Sequence, residues 1–146
     1  MKPLYFLIYA STASRDFTQD ELISLLAGSK AKNAQLDVTG LLLYSPGNDE
    51  TKGTFVQVLE GPRADVQALY VRITRDSRHR EWTLIREGSL FQRRFADWSM
   101  GFRDLSALKP SDVPGFNPIF LKNWTLKKVL AEPDPVLQLL YSFAGV

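Results

Sequence analysis

From Leu4 to Ala10 every position is apolar or aromatic, so Leu4, Phe6 and Ile8 alternate with Tyr5, Leu7 and Tyr9. Such a run predicts a central strand covered on both faces. After a polar loop, Thr18 and Glu21 form an S/T-x-x-E capping box that opens a helix with the inner stripe Leu22, Leu25, Leu26, Ser29 and Asn33. The buried face of this helix therefore turns polar at its C-terminal end. VTGLLLYS and GTFVQVLEG are two strand-like runs joined by the polar stretch from Pro46 to Lys52, which predicts a hairpin with a roomy loop. Gly61 and Pro62 start a second helix, with proline at a first-turn position and Val66, Leu69, Tyr70 and Ile73 at helical spacing. Strand-like segments follow from Trp82 to Phe91 and from Trp98 to Phe102. The tail carries a Pro/Gly loop and two short helical segments, around Trp124 to Leu130 and Val136 to Phe143. This order predicts an α+β fold: a ferredoxin-like β-α-β-β-α-β plan plus a fifth strand, both helices on one sheet face and the C-terminal helices on the other.

Composition narrows the chemistry. The 146 residues contain no cysteine and one histidine, His79, which removes thiolate metal sites, thiol nucleophiles and histidine-rich metal centres. Any demanding reaction then needs a reactive group from outside the chain. A formal net charge of +2 implies no global pull toward nucleic acid or membrane. Nine of the ten arginines lie between Arg63 and Arg103, a distribution that suits either a phosphate-binding surface or a solvated face. The first residues, MKPLYFLIYAS, have the pattern of a strand and not of a signal peptide. No stretch approaches the roughly 20 apolar residues that a membrane span needs, so a cytoplasmic protein is expected.

A few residues do not fit a plain core. Gln57 shares its strand face with Phe55 and Leu59, which puts an amide in the middle of an apolar surface. Burying that amide without a partner costs about 1–3 kcal/mol. Tyr9 raises the same question for its hydroxyl, and in this plan the two strands are neighbours, so the pair can satisfy each other. The alternative is a ligand slot between the two helices, with Leu25 and Ile73 as walls, Tyr9 and Gln57 as floor, and Ser29 and Asn33 toward one end. Apolar walls with a few converging amides suit a flat heteroaromatic ring, because an amide both donates and accepts. Trp98, Met100 and Phe102 share one face of the last strand, where packing is the ordinary role of such residues.

LIYAST, KNAQLDVTGLLLY, FVQVLEG, TRDSRHREW and RRFADWSMGF stand in an order and spacing that resemble the BLUF domain, the flavin-binding blue-light sensor, over roughly residues 3–104. The resemblance implies non-covalently bound FAD. It assigns the photoactive tyrosine to Tyr9, the switching glutamine to Gln57 and the ring-binding asparagine to Asn33, with Ser29 one turn before it and Ser11 just after the tyrosine. Leu25 and Ile73 match the aliphatic residues that sandwich the ring. Arg78 and His79 match the dipeptide near the ribityl and phosphate end, and Lys32 precedes the asparagine. Met100 matches the methionine near the glutamine and Trp98 the family's tryptophan. One departure is the insertion NDETKG at the hairpin tip, where added length is tolerated cheaply.

The implied organisation is a photosensor domain over residues 1–104 and a helical output extension over residues 105–146. The implied activity is light sensing without turnover: Tyr9 gives an electron and a proton, Gln57 rearranges its hydrogen bonds, and the last strand, expected beside Gln57, passes the change through the tail to a downstream signalling protein. A homo-oligomer is expected, with no metal, no membrane and no direct nucleic-acid contact. A ferredoxin-like small-ligand or RNA-binding module without photochemistry is the competing reading.

Overall fold

The computed structural model describes residues 3–47, 52–96, 101–105 and 125–143. Strands β1 (Leu4–Ala13), β2 (Thr39–Ser45), β3 (Thr54–Pro62), β4 (His79–Leu90) and β5 (Gly101–Asp104) form one sheet in the order β4-β1-β3-β2-β5. Helices α1 (Gln19–Gln35) and α2 (Arg63–Ile73) lie between the strands in sequence, and α3 (Leu126–Ala131) and α4 (Pro133–Ser142) follow them. The expected α+β plan holds, with β5 added parallel to β2 at one edge of an otherwise antiparallel sheet.

The alternation along β1 sorts two cores. Tyr5, Leu7, Tyr9, Leu42, Phe55 and Leu59 pack with Leu22 and Leu25 of α1 and Val66 and Leu69 of α2. Ile8, Ala10, Leu41, Leu43, Val56 and Val58 pack on the opposite face with Val129 of α3 and Val136, Leu139 and Leu140 of α4. The tail thus covers the second sheet face. Thr18 and Glu21 close both halves of the predicted capping box. Pro62 stands one place earlier than predicted, as the N-cap of α2, because β3 continues to that residue.

The last strand requires a correction. It pairs with β2 and not with β3, so β2 separates it from Gln57, and Leu42 stands opposite both Gln57 and Phe102. β3 fills the space between β1 and β2 and β4 takes the free side of β1, which leaves open ladders on β4 and β2, and the fifth strand joins β2. Trp98, Met100 and Trp124 lie outside the described residues, as do residues 48–51 of the inserted loop.

The loop between β4 and β5 is tied back to the centre. Arg93 donates to the carbonyls of Asp37 and Glu60, at 2.7 and 2.9 Å, and to Thr39 Oγ1 at 3.0 Å. The Glu60 carboxylate, only 1% exposed, accepts the backbone N–H groups of Arg94 and Phe95 at 2.8–3.1 Å. Phe95 then packs in the tail-side core, and the Arg94 guanidinium lies 4.2 Å from the ring centre of Tyr141 in α4.

Candidate functional site

Tyr9 and Gln57 are opposite residues of the β1–β3 ladder, on the face toward α1 and α2. Adjacent antiparallel positions bring side chains within contact range, and the Tyr9 hydroxyl donates to Gln57 Oε1. Both are buried, at 2% and 5% exposure. Loss of hydration pushes the Tyr9 phenol far above the ordinary tyrosine range, and Tyr70 and Asp76 push it in the same direction. The phenol therefore keeps its proton and acts as a fixed donor, which holds the carbonyl end of the Gln57 amide toward it.

Above this pair opens a cleft of about 110 Å³ between the two helices. Leu25 of α1 faces Leu69 and Ile73 of α2 as apolar walls, and Leu42 and Phe55 extend the floor. Ser29, Lys32 and Asn33 line the C-terminal end of α1. Asn33 is 2% exposed and sits where α1 turns into β2; its backbone carbonyl accepts from Leu36 at 3.2 Å and Val38 at 2.9 Å, which fixes its place. Gly28 also lines the cleft, and a Cβ built on it meets no atom within 4 Å. A helix-interior glycine costs about 0.5–1 kcal/mol relative to alanine. Here the missing side chain leaves room in the slot.

The opposite rim is charged. Arg72, Asp76, Arg78 and His79 line it. Arg78 Nε reaches both Asp76 oxygens at 2.9 Å, and this pairing holds the Asp76 carboxyl below its usual range and raises the guanidinium. His79 is buried, and the loss of hydration lowers its proton affinity. Its Nδ1 stands 2.6 Å from Ser11 Oγ.

Nine of the ten side chains expected around a ligand line this cleft: Tyr9, Leu25, Ser29, Lys32, Asn33, Gln57, Ile73, Arg78 and His79. Ser11 stands behind His79 and not on the wall. Sequence reasoning missed Gly28, Leu42, Phe55, Leu69, Arg72 and Asp76. Phe55 and Leu69 were legible as residues of the inward stripes, and Leu42 follows from its register opposite Gln57. Nothing in the sequence distinguishes Arg72 and Asp76 from other rim charges. Chemically the cleft offers apolar walls for a flat ring, buried amides for its edge, and the cations Lys32, Arg72 and Arg78 at its open rim.

Among the described residues no helix is long and apolar enough to cross a membrane. The chain matches the BLUF family, sensors of blue-light using FAD, over residues 4–101. It is 34% identical over 95 residues to the photoactivated adenylate cyclase subunit beta of Euglena longa, covering 64% of this chain and 10% of that protein. It is 31% identical over 137 residues to the blue light- and temperature-regulated antirepressor BluF of Escherichia coli (strain K12), covering 94% of this chain and 32% of that protein. The chain thus spans about a tenth of the cyclase subunit and a third of the antirepressor. Among solved structures, the dark state of the BLUF protein BlrB superposes with a TM-score of 0.78 at 27% identity, over 99% of this chain and 98% of that one. A bacterial light-regulated adenylyl cyclase superposes with a TM-score of 0.70 at 26% identity, over 92% of this chain and 36% of that one. Since the family match runs from the first residue of β1 to the first of β5, and the likeness to BlrB extends over nearly all of both chains, this chain belongs to the BLUF family of flavin-using blue-light sensors.

Proposed function

We propose that the chain is a blue-light receptor that binds FAD non-covalently between α1 and α2 and uses Tyr9 and Gln57 as its switch. The observation that carries this reading is the buried hydrogen bond from the Tyr9 hydroxyl to Gln57 Oε1 on the floor of an open cleft. The residues present fit the group. Leu25 and Ile73 would stack on a planar ring, Asn33 and Gln57 would bind its hydrogen-bonding edge, Gly28 clears room beside it, Lys32 adds a cation beside Asn33, and Arg78 and His79 stand at the end suited to a phosphate tail. Ser29 adds a hydroxyl within the slot and Ser11 holds His79.

A bound flavin supplies absorption of blue light and, once excited, a strong one-electron oxidant. Tyr9 is the electron and proton donor. Its proton leaves Oη along the bond to Gln57, and Tyr9 regains both electron and proton in the dark. The Gln57 amide holds its oxygen toward Tyr9 before illumination; by rotating or tautomerising it presents the opposite character at each end and keeps that arrangement after Tyr9 is restored. Light need only bias two arrangements that differ by a few kcal/mol. The change reaches β5 across Leu42, and the tail through β5 and the Glu60-held loop. Trp98 and Met100, three and one residues before β5, belong to this route. The sensor comprises residues 1–104 and the output extension residues 105–146, which signals to a downstream protein and performs no turnover of its own.

The purified protein is expected to be yellow, to release FAD on denaturation, and to shift its absorption reversibly to the red under blue light. Tyr9→Phe should retain the flavin and lose the shift. A colourless protein from flavin-replete cells overturns the cofactor assignment, and a normal shift in Tyr9→Phe overturns the role of the phenol.

A further inference from the structure

His79 carries two contacts at one ring nitrogen that cannot both be hydrogen bonds at once. Its Nε2 stands 3.0 Å from the Trp82 indole Nε1 and 3.0 Å from the carbonyl oxygen of Ile73. The indole N–H only donates and therefore needs a bare Nε2; the carbonyl only accepts and therefore needs a protonated one. The neighbours decide between them for a neutral ring. Ile73 O already accepts the Asp76 backbone N–H at 3.0 Å, whereas Nε2 is the acceptor found for the partly buried Trp82 N–H. Leaving that donor unmade costs more than leaving the carbonyl with one partner. The proton then sits on Nδ1 and is donated to Ser11 Oγ, 2.6 Å away and fully buried.

The backbone is bent to make this contact. Strand alternation would put residues 79 and 82 on opposite faces. Opposite Ser11 the β1–β4 register shifts, so that Ala10 pairs with Thr83 and Thr12 with Arg80, and Glu81 lies in the left-handed region at φ 59°. A non-glycine residue there is strained, because its Cβ crowds the following carbonyl oxygen. The extra residue reverses the phase of the strand and brings the Trp82 ring against His79, edge to face at 5.3 Å.

We propose that Trp82 is a positioning residue that fixes His79 as its Nδ1–H tautomer, and that a proton added at Nε2 transfers the ring's hold from β4 to the C-terminal end of α2. The added proton enters from solvent, forms the Nε2–H bond and is donated to Ile73 O, while the Trp82 N–H loses its acceptor. Ile73 is a wall of the cleft, so the exchange gives that wall a hydrogen bond to His79 that the neutral ring does not make. The groups that face His79 are Ser11 and Tyr9 of β1, Phe55 of β3, the Ile73 carbonyl of α2, Asp76 and Arg78 of the connecting loop, and Trp82. Of these, Asp76 favours the cation, Arg78 opposes it, and Tyr9 stays neutral.

Because His79 is the sole histidine, 15N labelling of the imidazole gives one pair of ring-nitrogen signals in the intact protein as purified. At neutral pH the proton is expected on Nδ1. On acidification Nε2 becomes protonated with a midpoint below 6.5, and the Trp82 indole N–H signal moves with the same midpoint. In Trp82→Phe the neutral ring should carry its proton on Nε2, and the midpoint should rise by about half to one pH unit as the neutral form loses a donor. A neutral wild-type ring protonated on Nε2, an indole signal that ignores the titration, or an unchanged tautomer in a folded Trp82→Phe each overturns the proposal. The first two readouts need no variant, and none depends on light.

Discussion

At Gly40 a Cβ atom would stand 2.0 Å from the carbonyl oxygen of Val58. No side chain can yield there, because the obstacle is the backbone of the neighbouring strand. Gly40→Ala should therefore cost at least the ~1–3 kcal/mol of an overpacked core, read as a lowered urea midpoint. At Glu60, burial raises the carboxyl above its ordinary value of 4.5, only partly opposed by the Phe95 and Arg94 N–H groups and by Arg93 and Arg94. The folded chain thus holds this proton more tightly than the unfolded one. The stability it contributes is complete below pH 4.5 and is lost as pH rises through the raised value. Glu60→Gln, whose amide oxygen still accepts from Phe95, should flatten that part of the stability–pH curve in urea titrations between pH 4.5 and 8. At this scale the sequence was readable where a rule was broken within one strand: an amide on an apolar face needs a partner, and Tyr9 is opposite it. His79 was opaque, because the shift at Glu81 that turns Trp82 toward it leaves no mark in the pattern of apolar positions.

Among the elements, α1 shows what a helix gives up to border a cleft. Its first half is closed by the Thr18–Glu21 box and buries Leu22 and Leu25, while its second half presents Gly28, Ser29 and Asn33. Replacing Gly28 by alanine should stabilise the flavin-free chain by about 0.5–1 kcal/mol, since its Cβ enters open space. The same methyl occupies the slot, so flavin retention through dialysis should fall. A variant whose thermal midpoint and flavin retention move together would refute this division of labour. Helices and their inward stripes were legible because period 3.6 and capping chemistry are local. The place of the last strand was not, since which free ladder it joins is decided by strands about fifty residues earlier; it lies on β2, with Leu42 between it and Gln57.

For the molecule as a whole, the sheet separates two cores that share strands but not side chains. Leu139 of α4 is fully buried against the face away from the cleft. Leu139→Ala should cost about 2–5 kcal/mol, seen as a lowered thermal midpoint, while flavin affinity of the folded protein stays unchanged. Lost affinity in the still-folded variant would mean that the two faces are coupled at rest. The strand that joins the faces carries a burden of another kind. β1 is nearly all buried and is flanked on both sides, yet its partners β3 and β4 come later in the chain. On a ribosome adding roughly 5–20 residues per second, about 4–15 s pass between Ala13 and Leu90. Until Pro62 is made this apolar strand has neither ladder, and until Leu90 only the one to β3, so the nascent chain, more than the finished protein, is the form that calls for a chaperone.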